Sequence, residues 1–435
     1  MQFVTIFRNP CIGMRLMRRL IGVPFLFVSL YSLPALSVPL TLEQAWEQAE
    51  HANPTLRATQ ANLAAAQGDL ADANALLWNN PQLATEWSKG TLPQAGNPAR
   101  SNRGLMVGLA QTFEIGGQQG IRRTVSDQSL AATQELITET RRQLHAEVEQ
   151  RFIRVLSLQL RIQIEEQSLQ LIEKAAMAVG KRVAAGEDSR LDGNLAKVEA
   201  ERAQNQVSLL REQLIQARSD LSALLQFPAD SLPDVAGLLD PPAVSYGLEE
   251  LLISAADRSL LRAYEHKENA ARSRLDLERA SVYPDVTVGL GTGRGTPDNS
   301  GLNVTALSLS VPLPLFRRNG TGIGRATTEL TQMQVQRQSA QRDARAQVLA
   351  LWERWVHLKT RVKRLSESAL PSLAENQRLS SVSFRVGEIG LLQLLIVNRQ
   401  VLDGQRDLLD ARTELRLTQV NLESAAGWQP ARNNH

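Results

Sequence analysis

From the glycine pair Gly116 and Gly117 to the next turn at Gly186, the sequence holds one helical pattern for almost seventy residues. At about 1.5 Å of rise per residue, such a helix is on the order of 100 Å long, more than any compact core requires. Its apolar residues Leu144, Val148, Phe152, Val155, Leu158 and Ile162, continuing through Leu169 and Val179 to Val183, recur at spacings of three and four. That periodicity predicts a single narrow seam. Aromatics make up only 4% of the chain, which suits long helices in thin layers better than thick globular cores. The helix reverses at Gly186, and a second one returns over residues 191–225.

What precedes the long helix has a different period. A helical pattern from Thr41 to about Leu77 stops at Asn79, Asn80 and Pro81, and residues 82–88 and 105–109 then alternate apolar with polar. These predict a strand pair over 82–113 of about ten residues per strand, the length of a tilted membrane strand. Gly116 and Gly117 end the pair.

The second half of the chain replays this order. A proline-rich linker over 227–247 leads into a helical stretch from Leu248 to Val282, and Tyr283-Pro284 then switches it to strand. A second strand pair over 285–311 ends at Pro312 and Pro314; helix resumes to about Phe384, turns near Gly387 and returns to Ala426. A shift of 201 residues lays the two return helices on each other without a gap. The seam Ala196, Ala200, Ala203, Val207, Leu210, Leu214 and Ala217 falls on Val397, Val401, Gly404, Leu408, Ala411, Leu415 and Thr418. A seven-residue repeat rich in small residues predicts coiled-coil packing. The expected plan is a signal over 1–37, a first repeat over 38–226, the linker, a second repeat over 248–426 and a tail over 427–435. The fold class is mainly α with a small β part and a two-fold internal repeat.

The first 37 residues carry Arg15, Arg18 and Arg19, an apolar run from Leu20 to Leu33, and small residues Ala35 and Ser37, which predict an export signal cleaved after Ser37. The one cysteine, Cys11, precedes the apolar run, so the mature chain is expected to be cysteine-free. Four of the 48 basic residues (Arg8, Arg15, Arg18 and Arg19) lie in this stretch; the remainder is close to neutral, which argues against a nucleic-acid partner. No later stretch has the roughly eighteen consecutive apolar residues of a membrane helix, so a membrane would have to be crossed by strands. Four strands cannot close a barrel, and an open sheet edge in lipid leaves backbone groups unpaired, so several copies must combine.

The LTLEQA opening at residues 40–45, the pair Asn53-Pro54, NNPQL at 79–83, QTFEIGGQQGIRR at 111–123, and the turns RVAAGEDSRLD and FRVGEIGLLQL resemble the TolC-like outer-membrane efflux proteins over essentially the whole mature chain. QTFEIGG followed by arginines is most similar to the CzcC branch, the outer-membrane components of heavy-metal cation exporters. The resemblance implies a homotrimer with a twelve-stranded barrel in outer-membrane lipid and a periplasmic α-barrel of twelve helices. It also implies a periplasmic adaptor docked at the helical tips, an inner-membrane resistance-nodulation-division pump, and cargo such as cobalt, zinc or cadmium. The adaptor-docking turns of the family correspond to Arg182, Val183, Gly186, Ser189, Leu191 and Asp192, and to Val386, Gly387, Leu392 and Leu395. Where drug-exporting relatives carry two aspartates after the second turn, this chain has Gln393 and Ile396.

Pro371 has no counterpart in the first hairpin. Either it kinks the helix so that the second hairpin bends inward and shuts a tunnel, or it is a tolerated interruption. The strand-to-helix switches are assigned to Pro81, Gly116, Gly117, Pro284, Pro312 and Pro314. Five histidines lie on separate segments with no metal-ligand spacing, so no resident metal or other cofactor is expected. The glycines of residues 320–324 follow a proline-broken strand outside any βαβ unit and are not read as a phosphate loop. Two other channel cargoes, drugs and secreted proteins, stay open. A coiled-coil adaptor would have one hairpin flanked by β domains, and an enzyme would need a nucleophile, base and orienting group that the sequence does not assemble.

Overall fold

The computed structural model describes residues 39–94, 97–228, 230–242, 244–296 and 302–428. The expected export signal with Cys11, and His435, lie outside them. The described chain runs α1 (Leu42–Ala52), α2 (Pro54–Ala73), β1 (Gln82–Gln94), β2 (Asn97–Phe113), α3 (Gln118–Ala184) and α4 (Arg190–Leu225). It continues through α5 (Leu248–Ala256), α6 (Ser259–Ala280), β3 (Val286–Thr296), β4 (Leu302–Ser310) and α7 (Gly320–Arg364) to a π-helical turn (Leu365–Ala369), α8 (Leu370–Arg385) and α9 (Leu391–Ala426).

The opening helix is two helices where one was expected. Asn53 accepts from the backbone N–H groups of Thr55 and Leu56 at 3.0 and 3.2 Å, and Pro54 occupies the first helical position, so a new helix starts there. The β1–β2 strands are 13 and 17 residues long, longer than the ten expected, because pairing continues through the polar positions Gly90, Thr91 and Arg103. The seam of α3 is also broader than a single stripe. Ile153 and Leu156 are buried beside Phe152 and Val155, since α3 packs on α4 and also on α2, α6 and α9. In α4 and α9 the heptad seams hold, and none of their positions is exposed.

The helices share three cores. The first joins α1, α3 and α4 and takes in Val235 and Leu239 of the linker, which folds back so that Leu40 and Val235 form a parallel bridge. A second joins α5, α7 and α9 around Leu251, Val348, Trp355 and Leu422. The third, at the far end, contains Val179, Ala196 and Leu391.

All four strands form one antiparallel sheet in the order β1-β2-β3-β4, the repeats meeting where β2 pairs with β3. Pairing puts Leu83, Leu109, Leu290 and Leu307 in one row across the sheet, with Thr85, Val107, Thr292 and Thr305 in the next row of the same face. The opposite face carries Ala84, Gly108, Gly291 and Ala306. A Cβ on Gly293 of this face would lie 2.5 Å from the Leu105 carbonyl oxygen, so glycine is what allows β3 to approach β2 so closely.

Candidate functional site

Three regions carry the predicted residues: the helical tips, the junction between sheet and helices, and the sheet itself. At the tips, both reversals use the same backbone device at the same 201-residue offset. Gly186 and Gly387 have φ of +80° and +81°, a left-handed conformation that costs a side-chain-bearing residue roughly 1–2 kcal/mol. The N–H of Glu187 donates to Arg182 O at 2.8 Å and that of Gly186 to Val183 O at 3.1 Å; Glu388 and Gly387 repeat this to Ser383 O at 2.9 Å and Phe384 O at 3.2 Å. These close both helix ends as Schellman motifs.

The side chains around the two turns differ. In the first, Arg182 pairs with Asp188 at 3.0 Å, and Ser189 Oγ both accepts from the Asp192 N–H at 3.1 Å and donates to Asp192 Oδ2 at 2.6 Å. In the second, the cap position is Gly390, with no side-chain cap. Among the predicted residues, Leu191, Val386 and Leu392 project as exposed apolar side chains, Leu191 being 76% exposed. Val183 and Leu395 instead pack inward against Val179, Ala196 and Leu391, joining the two hairpins. The structure therefore brings both turns together but divides their residues into a surface set and a packing set.

At the junction, residues 111–123 work as a set of braces. Gln111 Nε2 donates to Asn79 O at 2.7 Å, and Arg123 Nε to Ala73 O at 3.1 Å, closing the end of α2. Arg122 forms a two-point pair with Glu114 at 3.0 and 2.8 Å while its guanidinium lies 3.8 Å from the Trp78 ring centroid. Gly117 precedes α3 at φ +76°, and Gln118 reaches Ala280 O across the repeats at 3.3 Å. The second junction substitutes Asn319, at φ +51°, whose side chain donates to Glu278 O and Oε2 at 2.9 and 2.6 Å. Pro284, Pro312 and Pro314 line the cleft between the two junctions. Pro81 sits immediately before β1.

Sequence reasoning missed a ladder of buried carboxylates on α3. Glu139, 2% exposed, accepts from Arg142 Nη2 at 2.6 Å and lies 3.6 Å from Arg258; Glu149 pairs with Arg416 at 2.5 Å; Glu165 takes two bonds of 2.6 Å from Arg406. Arg406 and Arg416 come from α9, so the last two pairs tie the first repeat to the second. Two of the histidines have structural partners: His145 contacts Glu50 at 2.5 Å and stacks on Trp46, and His266 contacts Gln128 at 2.9 Å. Among the described residues no three His, Cys, Asp or Glu side chains are grouped to hold a metal ion.

Pro371 is met by a change of helix type. Over Leu365–Ala369 the helix widens to a π turn, and the N–H of Leu370 donates to Leu365 O, five residues back. The helix expected to run to about Phe384 is thus interrupted just where a proline ring would strike the carbonyl four residues before it, and the disturbance expected at Pro371 takes the form of a π turn. Beyond the turn, α8 lies so close on α9 that a Cβ on Gly404 would be 2.5 Å from Leu373 Cδ1.

Among the described residues no helix is long and apolar enough to cross a membrane. An apolar-faced sheet carried on helical hairpins about 100 Å long defines a class: membrane proteins that cross lipid by strands and extend far from it by coiled coils. The family model of outer membrane efflux proteins matches residues 45–225 and 253–428, and the chain belongs to that family. It is 27% identical over 375 residues to the cobalt-zinc-cadmium resistance protein CzcC of Cupriavidus metallidurans, covering 86% of this chain and 85% of that protein. Against the nickel-cobalt-cadmium resistance protein NccC of Alcaligenes xylosoxydans xylosoxydans it is 26% identical over 341 residues, 75% of this chain and 72% of that one. The fold matches the outer membrane protein VceC of Vibrio cholerae with a TM-score of 0.75 at 20% identity, over 89% of this chain and 96% of that chain. The protein is an efflux channel of the Gram-negative outer membrane whose helical part extends into the periplasm.

Proposed function

We propose that three copies of this chain form the outer-membrane duct of a tripartite efflux system and conduct heavy-metal cations passively to the exterior. The observation that carries the trimer is the sheet: β1 and β4 are both unpaired edges of a surface whose apolar face bears Leu83, Leu109, Leu290 and Leu307. Unpaired backbone in hydrocarbon costs several kcal/mol per group, so β4 of one copy must pair with β1 of the next. Three sheets of four strands give a barrel within the range of closed membrane barrels.

In this reading the exposed set at the tips, Leu191, Val386 and Leu392 with Arg182, Ser189 and Asp192 beside them, receives a periplasmic adaptor that links the duct to an inner-membrane resistance-nodulation-division pump. Gly186 and Gly387 shape the turns, while Val183 and Leu395 keep the two tips together. The π turn before Pro371 gives the second hairpin a place to bend and close the tunnel. Cation cargo is supported by the likeness to two metal-resistance proteins. A duct of this kind performs no chemistry and works best without tight ion sites, which would retain what must leave.

Deleting the gene in its native host and scoring growth on zinc, cobalt, cadmium, copper and a panel of drugs tests the cargo. Metal sensitivity restored by the intact gene is the expected result. Sensitivity to drugs alone would exclude cation export.

A further inference from the structure

The outward apolar rows of the sheet are too short for the membrane they cross. They run from the row of Trp87, Leu105, Arg294 and Asn303 to the row of Phe113 and Val286. That is about 26 Å along the strand, or roughly 20 Å of depth at a barrel tilt near 40°, against an apolar band of about 25 Å. The next outward row toward the exterior is Lys89 and Arg103, so the missing depth cannot lie on that side. It must lie at the periplasmic edge.

There the odd-numbered series Thr305, Leu307 and Leu309 continues past the strand as Val311, Leu313 and Leu315, all exposed, and the next residue, Phe316, is 96% exposed. Two features fit residues 311–316 for the lipid interface and not for more sheet. Pro312 and Pro314 have no N–H to leave unpaired, and the N–H of Leu315 donates to Leu313 O at 2.9 Å. Arg317 and Arg318 follow at once, both exposed and with no ion pair among the described residues. Long cationic side chains beside an apolar insertion reach the phosphate level of a bilayer.

We propose that residues 311–318 form a lipid-inserting loop, with Leu313, Leu315 and Phe316 entering the periplasmic leaflet of the outer membrane and Arg317 and Arg318 holding phospholipid phosphates. The occupant is phospholipid, because the loop continues the lipid-facing surface of β4 and ends in unpaired positive charge. This rests on the sheet crossing the membrane.

The test is a nitroxide on Phe316→Cys in a Cys11→Ser background, with the full chain reconstituted in phosphatidylethanolamine vesicles with and without phosphatidylglycerol. Leu307→Cys, on the lipid face of β4, is the reference label. Both labels are expected to be relaxed several-fold more by oxygen than by a water-soluble nickel complex. Insertion at 316 should deepen with phosphatidylglycerol, and Arg317→Gln with Arg318→Gln should abolish that dependence. A label at 316 open to nickel while 307 is in lipid would overturn the loop proposal alone, and nickel access at both would overturn the membrane placement. A label at 316 shielded from both reagents and immobile would mean that another copy of the chain covers the loop, which would equally reject a lipid role.

Discussion

Glu139 and Glu149 sit on the same helix and are both buried, yet their neighbours set them in opposite directions. Burial pushes the Glu139 carboxyl up, but the Arg142 hydrogen bond and the charges of Arg142 and Arg258 more than offset this and hold it below the ordinary glutamate value. Its ionised form therefore stabilises the fold above the ordinary range, and that contribution is lost as pH falls through the lowered value. For Glu149, burial comes first and the Glu423 charge adds to it; Arg416 offsets only part, so the carboxyl is raised. This group favours the fold when protonated and loses that advantage as pH rises from the ordinary toward the raised value. Glu139→Gln is expected to cost about 3–5 kcal/mol at neutral pH by leaving buried arginine charge unpaired. Glu149→Gln should cost less and should flatten the stability profile in the mildly acidic range. Thermal unfolding followed by circular dichroism across pH separates the two. Neither residue could be found from the sequence, because a glutamate on a long helix reads as solvated until its partner is known, and the distant partners here are Arg258 for Glu139 and Arg416 of α9, 267 residues away, for Glu149. The braces at the junction were half legible: Arg122 and Arg123 belonged to a visible motif, but the Trp78 ring under Arg122 was not deducible.

At the scale of elements, α4 and α9 are both 36 residues long and begin and end at the same 201-residue offset. The heptads predicted this because a seven-residue period constrains packing along the whole helix. The breaks were harder to read. Asn53-Pro54 was visible as a pair of residues, yet whether it starts a second helix depends on Asn53 capping it. The π turn before Pro371 was legible only as a disturbance, since the sequence marks where a proline interrupts the ladder and not how the backbone answers. Replacing Pro371 by Ala restores the missing donor, and slower amide exchange over residues 365–372 is expected as the π turn gives way to α-helix. If conductance and closed-tip diameter are unchanged in that variant, the turn does not gate. At the tips, Gly186→Ala and Gly387→Ala should each cost roughly 1–2 kcal/mol through the left-handed backbone alone. A comparable loss at both sites, read from unfolding midpoints, would show that the repeats share one turn chemistry despite their different side chains.

For the whole molecule, the repeat was the feature most fully written in the sequence, and its consequence in space was not. Two strand pairs could be read from alternation, but their merger into one sheet through β2 and β3 is a long-range pairing that no local pattern encodes. The merger leaves only β1 and β4 open, which makes the demand for further copies specific: edge must meet edge. The same arithmetic explains why 435 residues yield thin cores and so much exposed apolar surface, since both the sheet face and the tips are finished only by lipid, a second copy or a partner. Native mass spectrometry of the protein released from detergent micelles tests this most directly. Trimers are predicted; monomers or dimers that retain the β-sheet signal in circular dichroism would contradict closure of the barrel by three chains.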